Sequence, residues 1–374
     1  MADPSASPPL TRAGVQAAHE LIKPYIHRTP VLTSTTLDEI ASTPRTGSLE
    51  GTRWGQEGRT PARPRLRLWF KCENFQKIGA FKARGAFHAV ERLKREEGWE
   101  EGGGRERGVV THSSGNHAQA LSLAAKTNNI KAYIVMPTIS APPKIAATRD
   151  YGAEIIFSGS TSVEREAVTE KVMADTGARL VPPYDHPDII LGQGTLGLEL
   201  QEQVRELVGG GGGGKGLDAI VAPCGGGGML SGVALSAEGT GVKVFGSEPL
   251  EGGADDGMRG YYSGERVEKV SSLTIADGLR TPVGKYPWGI IYERKLVSGM
   301  YNVTEEEIKS AMRLVYERMK LVVEPSACVP LAVALYNEDF RSMVEKEAGE
   351  DGWDVGIVFS GGNVELSALG KLFA

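Results

Sequence analysis

Cysteine is scarce in this chain: Cys72, Cys224 and Cys328 are the only three, and none stands in a CxxC or a Cys/His cluster. An odd count without metal-ligand spacing argues against both a disulfide framework and a zinc site. An excess of charge of one sign is lacking too. Against 42 Lys and Arg stand 47 Asp and Glu, a net charge of −5, with no basic run. Such a chain is a poor nucleic-acid binder, so an anionic ligand must be held by local geometry rather than by a global field. Nowhere does it reach the roughly 18 consecutive apolar residues of a membrane-spanning helix. The opening MADPSASPPLTRAG has neither an apolar stretch nor a basic region before one. The expectation is a cytoplasmic protein with no membrane or nucleic-acid partner.

What is present is a repeated unit: a short β-branched run, a glycine-rich turn, then an amphipathic helix. Gly108–His112 reads as a strand leading through SSGN into an alanine-rich helix around Ala118–Lys126. Lys131–Met136 is a second strand, followed by a helical stretch near Pro143–Asp150. Glu154–Phe157, Ala219–Ala222, Val242–Gly246 and Val355–Phe359 repeat the theme. Alternation of this kind predicts an α/β fold with mostly parallel, open sheets. Thr304 followed by Glu305, Glu306 and Glu307 is a capping box opening a helix through Lys320. Residues 43–67, rich in Gly, Pro, Arg and Thr without periodicity, read as an exposed insertion. The glycine run Gly209–Gly214 reads as a surface loop.

Four segments carry chemistry. In ENFQKIGAFKARGA, Lys82 opens a helix whose apolar face is Ala83, Ala86, Phe87 and Val90. An apolar setting lowers a lysine's pKa and makes the amine a nucleophile able to form an imine with an aldehyde. Ser113-Ser114-Gly115-Asn116-His117 lies between a strand and a helix, where free N–H groups, hydroxyls and an amide suit a carboxylate or phenolate oxygen. The same residues would also serve as a plain N-capped turn. Gly225-Gly226-Gly227-Gly228-Met229 follows the strand DAIVA and precedes the helix LSGVALSA. Its backbone N–H groups can close on a phosphate, although it is neither GxGxxG nor a Walker loop. Ser360-Gly361-Gly362-Asn363 closes another strand at the sheet edge where ligands gather.

Together these segments resemble the fold-type II pyridoxal-phosphate (PLP) enzymes, the tryptophan-synthase-β-like group. The resemblance runs from Ile26-His-Arg-Thr-Pro30 to Ser360-Gly-Gly-Asn363. Within that group the chain is similar to eukaryotic serine racemases and threo-3-hydroxyaspartate ammonia-lyases. PPYDHP at 182–187, GQGT at 192–195, TIADG at 274–278, ERMK at 317–320 and EPSA at 324–327 support it. The fold it implies is two open-sheet α/β domains: residues 1–107 with 186–374 binding PLP, and a small mobile domain, 108–185.

The resemblance also implies roles. Lys82 forms the Schiff base, Phe81 packs on the ring, and Asn116 bonds its phenolic oxygen. Gly225, Gly226, Gly227, Gly228 and Met229 hold the phosphate. Glu324 and Ser360 complete the cofactor site, with Ser360 at the pyridine nitrogen. Lys82 and Ser114 are acid/bases on opposite faces of Cα. Ser113, Ser114, His117 and Arg165 bind a small amino-acid substrate, although a helix arginine such as Arg165 is more often solvated. Glu248, Ala254 and Asp256 map to a divalent-cation site suited to Mg²⁺ or Ca²⁺, the alternative being an acidic surface loop. The implied function is serine racemisation together with hydroxyamino-acid dehydration. A dedicated hydroxyaspartate or serine/threonine ammonia-lyase is the alternative. A β-replacement enzyme or an amino-acid sensor is remote, because SSGNHAQ and GGGGM stand in place of a synthase's motifs and every catalytic group is retained. A homodimer and a nucleotide effector complete what the family implies.

Overall fold

The computed structural model describes residues 3–55, 58–140, 142–209 and 215–373. Two open sheets organise the chain. The larger has strands β1 (Val31–Leu32), β2 (Leu66–Cys72), β7 (Ala219–Pro223), β8 (Lys243–Pro249), β9 (Gly299–Val303) and β10 (Trp353–Phe359), in the order β1-β2-β10-β7-β8-β9. All its pairs are parallel except β1 with β2. The smaller sheet is wholly parallel, in the order β5-β4-β3-β6, from β3 (Val109–His112), β4 (Ala132–Pro137), β5 (Glu154–Ser158) and β6 (Arg179–Leu180).

Every residue of β4, β7 and β10 is buried, as a parallel strand with helices on both faces requires. The period of two sorts their side chains between layers. Ala219, Val221, Val355 and Ile357 enter one core with Leu331 and Phe340, whereas Ile220, Ala222 and Val358 enter the other with Leu196 and Leu230. The second layer contains the helix Pro187–Gly209 packed on Gly228–Ala237. Because the strands run parallel, the turns after β7 and β10 leave the same edge of the large sheet.

Two expectations need correction. Residues 43–65 are not simply exposed: Leu49, Trp54 and Ala62 are buried, and residues 66 and 67 begin β2. The fully buried guanidinium of Arg341 donates to the carbonyls of Thr43 and Ala62 at 2.8 and 3.0 Å, and Glu338 accepts the Ala62 N–H at 2.8 Å. Hydrogen bonds from a distant helix thus anchor a stretch with no periodicity of its own. The helix opened by Thr304 has the expected reciprocal cap, but after Leu314 it continues as a π-helical turn, Val315–Met319, that ends at Lys320 with φ +60°. The glycine run lies outside the described residues from 210 to 214. Among the described residues no helix is long and apolar enough to cross a membrane.

Candidate active site

Lys82 is the first residue of the helix Lys82–Leu93, and the loop before it is stitched to the end of β10. The Phe81 N–H donates to the Ser360 carbonyl at 3.0 Å, and Ala80 forms a β-bridge with Gly361. The Lys82 ammonium donates to the Pro183 carbonyl at 2.6 Å and sits 5.2 Å from the Phe81 ring centroid. Loss of water around the amine lowers its pKa to about 8, with the Glu324 carboxylate pulling the other way. About a tenth of the amine is then free base at pH 7, enough for a nucleophile.

Beneath this helix lies a buried ion network that the sequence did not announce. Arg84 donates to both oxygens of Glu73 (2.7 and 2.9 Å) and both of Glu199 (2.8 Å each). Lys71 donates to Glu199 at 2.7 Å, and His19 Nε2 lies 3.3 Å from the same carboxylate. Arg84, Lys71 and Glu73 are fully buried, so the network fixes the helix that presents Lys82.

The turn after β3 brings the second motif to the same place. Asn116 Nδ2 donates to both Glu324 oxygens at 3.1 and 3.2 Å, and Asn363 donates to Asn116 Oδ1 at 2.8 Å. Glu324 is itself held by its N–H donating to the Gly361 carbonyl at 3.0 Å. Ser113 and Ser114 are half-buried beside them. His117 is different. Its Nε2 faces the Val181 carbonyl at 3.0 Å, which requires the hydrogen on that nitrogen and leaves Nδ1 a buried acceptor without a partner. Burial, then the Lys82 charge, lowers its pKa to about 3. A neutral ring with a bare lone pair is unsuited to grip a carboxylate, leaving the His117 backbone N–H at the helix start as the group fit for an anion. Arg165 donates to the Ser160 carbonyl at 2.9 Å, and its charge helps to depress the pKa of His112 at the end of β3.

The glycine turn after β7 is a cradle. None of the backbone N–H groups of Gly225–Met229 donates to a protein acceptor among the described residues. A Cβ on Gly226 would stand 2.4 Å from the Tyr184 ring, and Gly227 has φ +82°. Only glycine fits such a turn, and its free donors together with the helix start suit a phosphate. A phosphate-bearing aldehyde therefore fits the residues present: donors for its phosphate, a lysine of lowered pKa for its carbonyl, and an amide for its ring oxygen.

Glu248 and Asp256 are buried neighbours. Glu248 accepts the Gly257 and Met258 N–H groups at 3.0 and 2.7 Å, and Asp256 accepts that of Val283 at 3.0 Å. Burial pushes both carboxylates up, Asp256 to about 6, and for Glu248 the Asp256 charge adds to the effect. Asp256 Oδ1 is buried with no partner. An orphaned oxygen between mutually repelling carboxylates fits a hard cation. Ala254 is buried beside them, and no group of three or more His, Cys, Asp or Glu forms a metal cluster among the described residues.

Residues 54–361 match the family described as "Pyridoxal-phosphate dependent enzyme". The chain belongs to that family. This PLP-dependent enzyme is 41% identical over 367 residues to the serine racemase of Dictyostelium discoideum, covering 97% of this chain and 98% of that one. It is 40% identical to the L-threo-3-hydroxyaspartate ammonia-lyase of Saccharomyces cerevisiae, covering 97% and 96%. Among solved structures, maize serine racemase superposes with a TM-score of 0.79 at 37% identity, covering 96% and 95%.

Proposed function

We propose that this PLP-dependent enzyme racemises serine and also eliminates the β-hydroxyl of small hydroxyamino acids, giving a keto acid and ammonia. The observation that carries the reading is the convergence of Lys82, Asn116 and Glu324 with the Gly225–Met229 cradle at the strand ends. Relatives named for both activities, at 41% and 40% identity, support it.

Phe81, Asn116, Glu324, Ser360 and the glycine cradle would hold PLP. The bound cofactor withdraws electrons from Cα and so acidifies its proton. The N–H groups at the start of the helix Asn116–Thr127, with Ser113 and Arg165 at the rim, would bind the substrate carboxylate. Lys82, its pKa already lowered, takes the Cα proton from one face, and Ser114 serves the other. Return of a proton on the opposite face inverts the centre. Loss of the β-hydroxyl leads instead to pyruvate from serine. Glu248, the Ala254 carbonyl and Asp256 would bind Mg²⁺ or Ca²⁺. The smaller sheet and its helices, residues 108–185, would close over the substrate and exclude water. The resemblance carries the reading to a cytoplasmic homodimer with a nucleotide effector.

Product analysis tests it. With L-serine, chiral chromatography should find D-serine while a coupled assay finds pyruvate. In Ser114→Ala, D-serine should fall at least tenfold more than pyruvate. Pyruvate without D-serine in the parent enzyme would make it a dedicated ammonia-lyase, and neither product would refute the proposal.

A further inference from the structure

On the far side of the buried ion network from Lys82, a cavity of about 650 Å³ opens between the helices Arg12–Ile22 and Pro187–Gly209. Four Lys or Arg side chains and four carboxylates share its wall, but they are not paired one to one. Four carboxylates line it, and each has a cation: Glu206 and Glu202 take Arg28 at 2.8 and 3.4 Å, Glu20 has Lys23 at 4.0 Å, and Glu199 belongs to Arg84 and Lys71. Arg12 and Arg205 also line it, and neither forms an ion pair among the described residues. Arg12 donates only to the neutral amide oxygen of Gln201, at 3.3 Å, and both partial burial and the Arg205 charge work against its protonated form. Two like charges on one wall, neither held by a carboxylate, form a place where an anion lowers the energy of both.

We propose that this cavity is a binding site for a small oxyanion, a phosphoryl or carboxylate group bridging Arg12 and Arg205. A guanidinium presents a fork of donors matched to two oxygens, and the volume admits a metabolite larger than the anion itself. The site is separate from the glycine cradle. Its wall includes His19 and Glu199, and Glu199 holds Arg84, two residues beyond Lys82. An occupant therefore lies one carboxylate away from the helix of the cofactor lysine.

The test is calorimetric titration of the PLP-loaded enzyme, whose glycine cradle is already filled, at constant ionic strength. Inorganic phosphate is one arm and succinate the other. Saturable one-site binding of either that the Arg12 and Arg205 substitutions weaken supports the proposal, and the arm that binds more tightly identifies the group; binding that neither substitution weakens belongs to the substrate-carboxylate site and overturns it. Binding should weaken tenfold or more in Arg12→Gln and in Arg205→Gln, while Lys23→Gln, whose cation already has Glu20, should change it less than threefold. Circular dichroism and the unfolding midpoint establish that the variants are folded; Arg205 is exposed on the helix Pro187–Gly209. No saturable binding in either arm, or equal loss in all three variants, would overturn the site. Because binding is read directly, this result is independent of which reaction the enzyme catalyses.

Discussion

Replacing Glu199 by Gln keeps the shape of the side chain and removes one negative charge from beneath Lys82. In the native network Lys71 and Arg84 are balanced by Glu73 and Glu199, all with essentially no exposure. The substitution leaves two buried cations facing one carboxylate and turns an amide N–H towards donors. Removing one partner of a buried pair costs about 3–5 kcal/mol. Unfolding entropy of about 2.1 cal/mol/K per residue gives roughly 0.8 kcal/mol/K for a chain of this size. The loss should thus appear as a fall of about 4–6 °C in the unfolding midpoint at pH 7. The pH dependence has a definite sign. The cations hold the folded Glu199 carboxyl below its ordinary range, against the opposing effect of burial. Its contribution is complete above the unfolded value and drains away as pH falls towards the lowered folded value. The gap between parent and variant should therefore narrow in acid. Arg28→Gln breaks an exposed pair with Glu206 and serves as the comparison, with an expected loss below about 1 kcal/mol. A midpoint change under about 1 °C for Glu199→Gln, or a gap unchanged from pH 7 to pH 3, would contradict this role for Glu199.

Three other outcomes are expected. Asp256 has its folded pKa raised to about 6, so cation-free protein loses stability as pH rises through that value; added Mg²⁺ should raise the unfolding midpoint more at pH 8 than at pH 5, and an equal or absent gain would count against the site. Gly226→Ala drives a methyl into the Tyr184 ring and should weaken PLP binding at least tenfold in equilibrium dialysis, with unchanged affinity arguing against the cradle. In cofactor-free protein, acylation of Lys82 followed by peptide mass spectrometry should titrate near pH 8; a profile centred near the ordinary lysine value would show an amine in water.

The four chemical motifs were legible because each is local: a strand, a turn and a helix start lie within a few residues, and Lys82, Asn116, Gly225 and Ser360 mark them. Six of the ten strands, β3, β4, β5, β7, β8 and β10, were legible for the same reason, through β-branched runs between turns, whereas β1, β2, β6 and β9 were not read. Features made by long-range contact were not. The Lys71–Glu199 bond joins residues 128 positions apart, and no periodicity announces it. The helix Pro325–Tyr336 is buried on every side through Leu335, so it has no polar face and shows no amphipathic pattern. Residues 43–65 looked like free loop because their anchors, Glu338 and Arg341, belong to a helix far along the chain. His117 illustrates a different limit: its residue type suggested a carboxylate ligand, but the Val181 carbonyl fixes a tautomer that a sequence cannot reveal.

The central claim is that Lys82 carries the cofactor, and its most direct test is the site of attachment. Borohydride treatment of the PLP-loaded enzyme fixes a pyridoxyl group on whichever lysine holds it, and peptide mass spectrometry then locates the label. The label should fall on the peptide containing Lys82, and none should appear in Lys82→Ala. A stoichiometric label on another lysine, such as Lys71 or Lys77, with Lys82 unmodified, would contradict it.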